Sequence, residues 1–241
     1  MSEGPTAVIG AMDAEIATLL PNLHERRTVR YGPFDVHEGT LDGHPTLLAV
    51  CGVGKANAAA LAQQLLALGA RRVVFTGVAG ALDPDLAVGD VVVARDAVQH
   101  DVDVTGLGYA AGEVPGEPVA WPADAALRDA AFAAAEAAVA GEATVRIGRV
   151  ASGDTFVAGA EAGAAIRTAF DAACAEMEGA AVAQVCHRWG VPWVVVRSIS
   201  DTADHAAETD FRAFTERAAA RAERVVRGLL ARLDVGAGEV A

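Results

Sequence analysis

Short apolar runs alternate with Ala-rich stretches of helical spacing along the whole chain, a pattern that predicts an α/β fold. Thr6 to Ile9 reads as a buried strand, and Gly10-Ala11-Met12-Asp13-Ala14-Glu15 opens a helical pattern running towards Leu20. Thr28 to Tyr31 and Phe34 to Leu41 form a hairpin across Gly32-Pro33. The Asp42-Gly43 turn then leads into a strand from Pro45 to Val50. Lys55 to Leu68 is helical, Arg72 to Thr76 is a strand ending in Gly77-Val78-Ala79-Gly80, and Gly89 to Val98 is another strand. Between about His100 and Pro122 the periodicity fails, with five Gly or Pro residues from Gly106 to Gly116. A loop of that length inside a compact domain is usually functional or disordered. Helices are expected from Asp124 to Val139, Ala160 to Ala169 and Thr209 to Leu233, with a strand from Val145 to Val150.

The pattern is densest from Glu176 to Asp201. A short apolar run gives way at Met177 and Glu178 to an Ala-rich helix ending near Trp189 and Gly190. Pro192 then opens a β-branched strand, Trp193 to Ile199, which delivers Arg197, Ser200 and Asp201 to its C-terminal end. Open α/β sheets place their ligands at that edge. With no internal repeat and no Pro- or Ser-rich linker, residues 1–233 read as one α/β domain around a central sheet, and 234–241 as a frayed tail.

Composition narrows the function classes. A hydrophobic content of 53% and a mean hydropathy of +0.30 fit a well-buried globule, and no apolar run long enough to span a membrane is uninterrupted. The N-terminal segment has no signal-peptide character, so a soluble cytoplasmic protein is expected. The net charge of -13 opposes binding to nucleic acid or anionic membranes but leaves a small neutral or cationic substrate open. Cys51, Cys174 and Cys186 are scattered and read as reduced core thiols.

Two tempting motifs fail. Cys51 to Asn57, CGVGKAN, has Ala49 and Ala56 where a Walker A loop needs Gly and Ser or Thr, and Asn57 where a dinucleotide fingerprint needs Gly. Its glycines are expected to permit a tight strand-to-helix turn, leaving a helix N-terminus available to a ligand. His100-Asp101-Val102-Asp103 offers metal-like donors, but loop acids of this kind are usually solvated. Neither a metal nor a cofactor is expected.

Seven segments in order, GAMDAE, CGVGKANAA, TGVAGALDPDLAVGDVVV, HDVDVTGLGY, ASGDTFV, AEMEGAAVAQVC and VVVRSISD, give the chain a resemblance to the 5'-methylthioadenosine/S-adenosylhomocysteine nucleosidases of the nucleoside phosphorylase superfamily. The resemblance runs from about Ala7 to Leu233. It implies a single three-layer α/β/α domain with a twisted mixed sheet, acting as a homodimer on a small adenine nucleoside and water. It also implies roles: Glu15 activates water, Asp201 protonates the purine, Glu178 holds the ribose hydroxyls, and Met177 lies against the sugar. Phe156 stacks on adenine and the Val157 backbone reads its edge. Arg197 and Ser200 orient the catalytic groups, and the Gly80 backbone touches substrate. Met12, Val53 and Phe211 wall the 5' substituent, while Val104, Leu107 and Pro115, within the loop 101–118, reach the neighbouring subunit's pocket. Val78 replaces a usual Ser and Leu107 a usual Phe, changes that bear on substrate preference.

These residue types suit the chemistry. Breaking a C1'–N9 bond leaves positive charge on the ribosyl group and negative charge on the purine, so an un-ionised acid at N7 makes the base a better leaving group. The apolar run before Asp201 makes such an acid reasonable, and the helix dipole should favour a charged Glu178 beside the sugar. Taken singly, each residue also has an ordinary explanation: Glu15 as a first-turn helix acid, Glu178 as an N-terminal helix charge, Asp201 as a cap, Phe156, Phe211 and Met177 as core. Arg197 is harder to explain so, because a buried guanidinium needs a partner. A purine nucleoside phosphorylase, an aminodeoxyfutalosine nucleosidase and a catalytically silent purine-binding protein remain the alternatives.

Overall fold

The computed structural model describes residues 4–202 and 207–236, the latter without side chains at 207–217 and 234–236. Strand β1 (Thr6–Gly10) leads into a single turn of helix, α1 (Asp13–Ile16), and then the hairpin strands β2 (Leu23–Tyr31), β3 (Phe34–Leu41) and β4 (His44–Val50). Helix α2 (Lys55–Ala67), β5 (Arg72–Ala81), β6 (Val91–Gln99) and the two-residue β7 (Trp121–Pro122) follow. The second half runs α3 (Ala125–Val139), β8 (Val145–Ser152), α4 (Ala160–Phe170), β9 (Ala172–Glu176), α5 (Gly179–Trp189), β10 (Trp193–Asp201) and α6 (Ala207–Gly236).

Every residue of β1, β9 and β10 is buried, which is why these strands read as continuous apolar runs rather than alternating ones. Side-chain alternation feeds two cores. Ala7 and Ile9, Val73 and Phe75, and Trp193 and Val195 pack with Leu61 and Leu65 of α2 and Ala180 to Cys186 of α5. Val8, Val74, Val194 and Val196 face the other way, against Ile16, Leu127 and Ala131 of α3, and Val225 and Leu229 of α6. Helices thus cover both faces of the sheet, as expected. Cys51, Cys174 and Cys186 are buried and free. No helix among the described residues is long and apolar enough to cross a membrane.

The topology is what opens a site. Parallel and antiparallel pairings mix, in the order β10-β6-β8-β9-β5-β1-β4-β3-β2, and β10 also pairs with β5, so that five strands close into a ring. One edge of β5 pairs with β10 from Val73 to Gly80. The other is shared: β1 takes Arg72 to Phe75, and β9 takes Gly80 and Ala81. Between them, Thr76 to Ala79 have no strand partner on that edge. The sheet splays there, and groups at the ends of β1, β9 and β10 converge on the gap.

Three expectations are corrected. The helix towards Leu20 is one turn followed by a 3-10 turn at Leu20–Asn22, because Pro21 has no N–H to continue an α-helix. Strand β5 does not end at Thr76 but continues to Ala81. Helix α6 runs through Gly236, so 234–236 of the expected frayed tail are helical, and 237–241 lie outside the described residues.

Candidate active site

Glu15 follows α1 back into the gap in the sheet. Its Oε2 accepts the Ala11 and Met12 N–H groups at 2.6 and 3.0 Å, and its Oε1 accepts the Val78 N–H at 3.1 Å. That last donor is one of the β5 groups left without a strand partner. Burial raises the Glu15 pKa, opposed by the Arg197 charge and by the three backbone donors. Gly77 read from the sequence as a strand terminator, but its role here is volume. A Cβ at that position would sit 2.5 Å from Glu15 Oε1 and 3.0 Å from an Arg197 nitrogen.

The partner that Arg197 requires is Glu176, a residue sequence reasoning missed. Arg197 is 1% exposed, its Nη2 and Nε donate to Glu176 Oε2 at 2.5 and 3.2 Å, and its guanidinium lies 4.1 Å from the centre of the Phe75 ring. Glu176 also accepts the Gly179 N–H at 2.8 and 2.9 Å, the Glu178 N–H at 3.2 Å, and the Ser152 hydroxyl, whose oxygen accepts the Ala180 N–H. The open N–H groups at the start of α5 therefore go to Glu176 and Ser152, not to Glu178.

That arrangement corrects the expectation for Glu178. It stands at the N-cap, buried, with Oε1 accepting the Gly54 N–H at 2.7 Å. Burial first, and the neighbouring Glu176 charge second, push its pKa up to about 7, so the helix dipole does not decide its charge. The glycine turn before α2 forms as expected, with Gly54 at φ +100°, but its N–H groups are taken within the protein: Gly54 by Glu178, and Lys55 by Asp154 at 2.8 Å. The first two N–H groups of that turn therefore already have acceptors in the protein.

A raised carboxyl pKa is also a statement about stability. The cost of holding Glu178 ionised in the fold is absent below its ordinary value of 4.5, grows as pH rises, and is complete above about 7. Glu178→Gln should accordingly stabilise the unliganded protein by on the order of 3 kcal/mol at pH 8, several degrees in Tm, with the gain shrinking towards pH 5. Thermal melts at the two pH values check this; the same shift at both would mean the carboxyl is not perturbed.

Asp201 ends β10 just after a register break between Ile199 and Asp201. It is 2% exposed, and the buried Ser200 hydroxyl donates to its Oδ2 at 2.7 Å and lies 3.3 Å from the Ala79 carbonyl. The bulge re-aims the strand end into the gap.

Glu15, Glu178 and Asp201 line one cavity of about 240 Å³. Met12, Val53, Gly80 and Met177 share its wall, as do Phe156, Val157 and Ser200. Val78 lines it too and packs with Met12 and Ala218, an apolar contact at the position where a Ser was noted as usual. Arg197 lies behind the wall rather than in it. Val104, Leu107 and Pro115 do not line this cavity, and Leu107 is 77% exposed. Phe211 falls in the part of α6 described without side chains. Nor are the acids of His100-Asp101-Val102-Asp103 merely solvated: Asp101 pairs with Lys55 at 2.6 Å, and Asp103 accepts the Thr105 N–H and hydroxyl.

Comparison with known proteins identifies the family. A model of the phosphorylase superfamily matches residues 5–231. A 5'-methylthioadenosine/S-adenosylhomocysteine nucleosidase of Anoxybacillus flavithermus is 40% identical over 230 residues, covering 95% of this chain and 98% of that protein. The crystal structure of the corresponding nucleosidase from Neisseria meningitidis, in complex with methylthio-immucillin-A, superposes with a TM-score of 0.90 at 40% identity, covering 94% of this chain and 98% of that one. A futalosine hydrolase of Helicobacter pylori superposes with a TM-score of 0.89 at 32% identity, covering 95% and 98%. The chain belongs to the phosphorylase superfamily and, within it, to the 5'-methylthioadenosine/S-adenosylhomocysteine nucleosidases.

Proposed function

We propose that this protein hydrolyses the N-glycosidic bond of 5'-methylthioadenosine and S-adenosylhomocysteine, with 5'-deoxyadenosine as a further candidate, releasing adenine and the 5-substituted ribose. The observation that carries the reading is the convergence of Glu15, Glu178 and Asp201 on one small cavity whose remaining wall is largely apolar. Asp201 gives its proton to purine N7 as the C1'–N9 electron pair moves onto the base. Water attacks C1' and its proton passes to Glu15. Phe156 and the Val157 backbone hold the base, Met177 and Glu178 the sugar, and Met12 and Val53 the 5' group.

Glu178 supports the transition state more than the ground state. Burial and the neighbouring Glu176 charge make its ionised form costly. Positive charge developing at C1' offsets that cost, and only interactions that strengthen at the transition state accelerate the chemistry. Glu176 neutralises Arg197, so the guanidinium is not an open anion site, which disfavours phosphate as the nucleophile. Adenine release should therefore be unchanged when phosphate is added, with free 5-substituted ribose as the sugar product. Phosphate-dependent release of a sugar 1-phosphate would make the protein a phosphorylase.

An aminodeoxyfutalosine substrate is the second reading, favoured by the likeness to the futalosine hydrolase. It presents the same base and sugar and differs only at the 5' side. Turnover of the nucleosides compared side by side separates the two. Residues 1–233 act as one cytoplasmic domain in this proposal. A second copy of the chain completes each pocket, and the exposed Leu107 of the 101–118 loop suits such a contact.

A further inference from the structure

Two loops that line the cavity, 51–54 after β4 and 153–157 after β8, are joined by one polar cluster to the segment after β6. Phe156 is 45% exposed and stands on the second of these loops, which forms no strand or helix of its own. Gly153 and Val157 tie this loop to β9 and to the Val98 and Phe170 cluster, and between them its polar anchor is Asp154, two residues before Phe156 and held from both sides. The Asp154 carboxylate accepts the Lys55 N–H at 2.8 Å, and the Asp154 N–H donates to Asp101 Oδ2 at 2.9 Å. The second oxygen of Asp101 accepts Lys55 Nζ at 2.6 Å, closing the ring. Lys55 Nζ also donates to Gln99 Oε1 at 3.0 Å, and Gln99 donates onward to Gln184 of α5, the helix that Glu178 caps.

We propose that Asp101, with Lys55, is a positioning residue for purine recognition: it fixes the 153–157 loop so that Phe156 and Val157 face the base. This role rests on the nucleosidase reading above. Asp101 does not line the cavity. Its side chain is 27% exposed and that of Lys55 16%, so the pair is less screened than one at the open surface. Losing Asp101 leaves the Lys55 ammonium with Gln99 Oε1 alone and removes the acceptor of the Asp154 N–H, which loosens the base-binding loop and leaves Glu15, Glu178 and Asp201 in place.

Asp101→Ala should raise KM for methylthioadenosine and the dissociation constant of adenine by a common factor of about ten, with kcat within about twofold and inhibition by methylthioribose unchanged. Asp101→Asn keeps an oxygen for the Asp154 N–H and should lose only about threefold, as should Lys55→Met. The Lys55→Met, Asp101→Ala double variant should be no worse than Asp101→Ala alone, because the two act through one contact. If the Ala variant does not fold, the Asn and Lys55→Met variants carry the same comparison. Unchanged adenine affinity, equal weakening of adenine and methylthioribose, or a fall in kcat at constant KM each overturns the role. Wild-type protein that neither binds nor releases adenine overturns the nucleosidase reading instead.

Discussion

Asp201→Asn should cut adenine release by about a thousandfold, the middle of the range for loss of a general acid, while the protein melts within a degree or two of wild type. The substitution is nearly isosteric at a position only 2% exposed. The Ser200 hydroxyl, 2.7 Å from Oδ2, can donate to an amide oxygen as well as to a carboxyl oxygen. Side-chain volume and the Ser200 contact are therefore kept. What disappears is a proton that can be transferred: an amide can donate a hydrogen bond to N7 but cannot leave its proton there as the glycosidic bond stretches. Because that transfer exists only in the transition state, kcat and kcat/KM should fall together with little change in substrate affinity. Single-turnover measurement of adenine release, alongside a substrate dissociation constant, gives both numbers. Turnover near the wild-type rate would remove Asp201 from the acid role.

The backbone of the site was legible because its elements are buried on both faces and so leave unbroken apolar runs. Strands β1 and β10 and helix α5 with its Gly190 stop all read correctly from pattern alone. Arg197 was visible as an anomaly in such a run, but its partner was not. Glu176 closes a five-residue strand and lies two residues before the glutamate that draws the eye. The available signal was the requirement that a buried guanidinium be paired, which singles out a buried acid without saying which one. Gly77 was misread for a related reason. Glycine marks turns in sequence, whereas here it makes room for two side chains from elsewhere in the chain. Asp101 looked solvated because its partners, Lys55 and the Asp154 N–H, are 46 and 53 residues away in sequence. The Glu176 and Gly77 contacts gather where β5 splays between β1 and β9, and those of Asp101 where the loops after β4, β6 and β8 meet; both are tertiary features without local periodicity.

Glu15→Gln should be as damaging as loss of the acid, about a thousandfold in kcat, and the geometry says which atom is responsible. A carboxylate offers four lone-pair sites. Oε2 already accepts two backbone N–H groups and Oε1 only one, so the remaining site, on Oε1, is the one able to take a proton from water. Glutamine cannot do so. It also brings an NH₂ group into a position surrounded by donors: with its oxygen facing Ala11 and Met12, its nitrogen meets the Val78 N–H. That donor–donor contact should cost roughly 1–3 kcal/mol of stability, a penalty Asp201→Asn avoids. Substrate should still bind, since Met177, Glu178 and the base-binding loop are untouched. The signature is thus slow turnover, retained affinity for nucleoside and a lowered Tm. A variant that turns over slowly because nucleoside no longer binds would make Glu15 a structural acid and return the question of the base to Glu178.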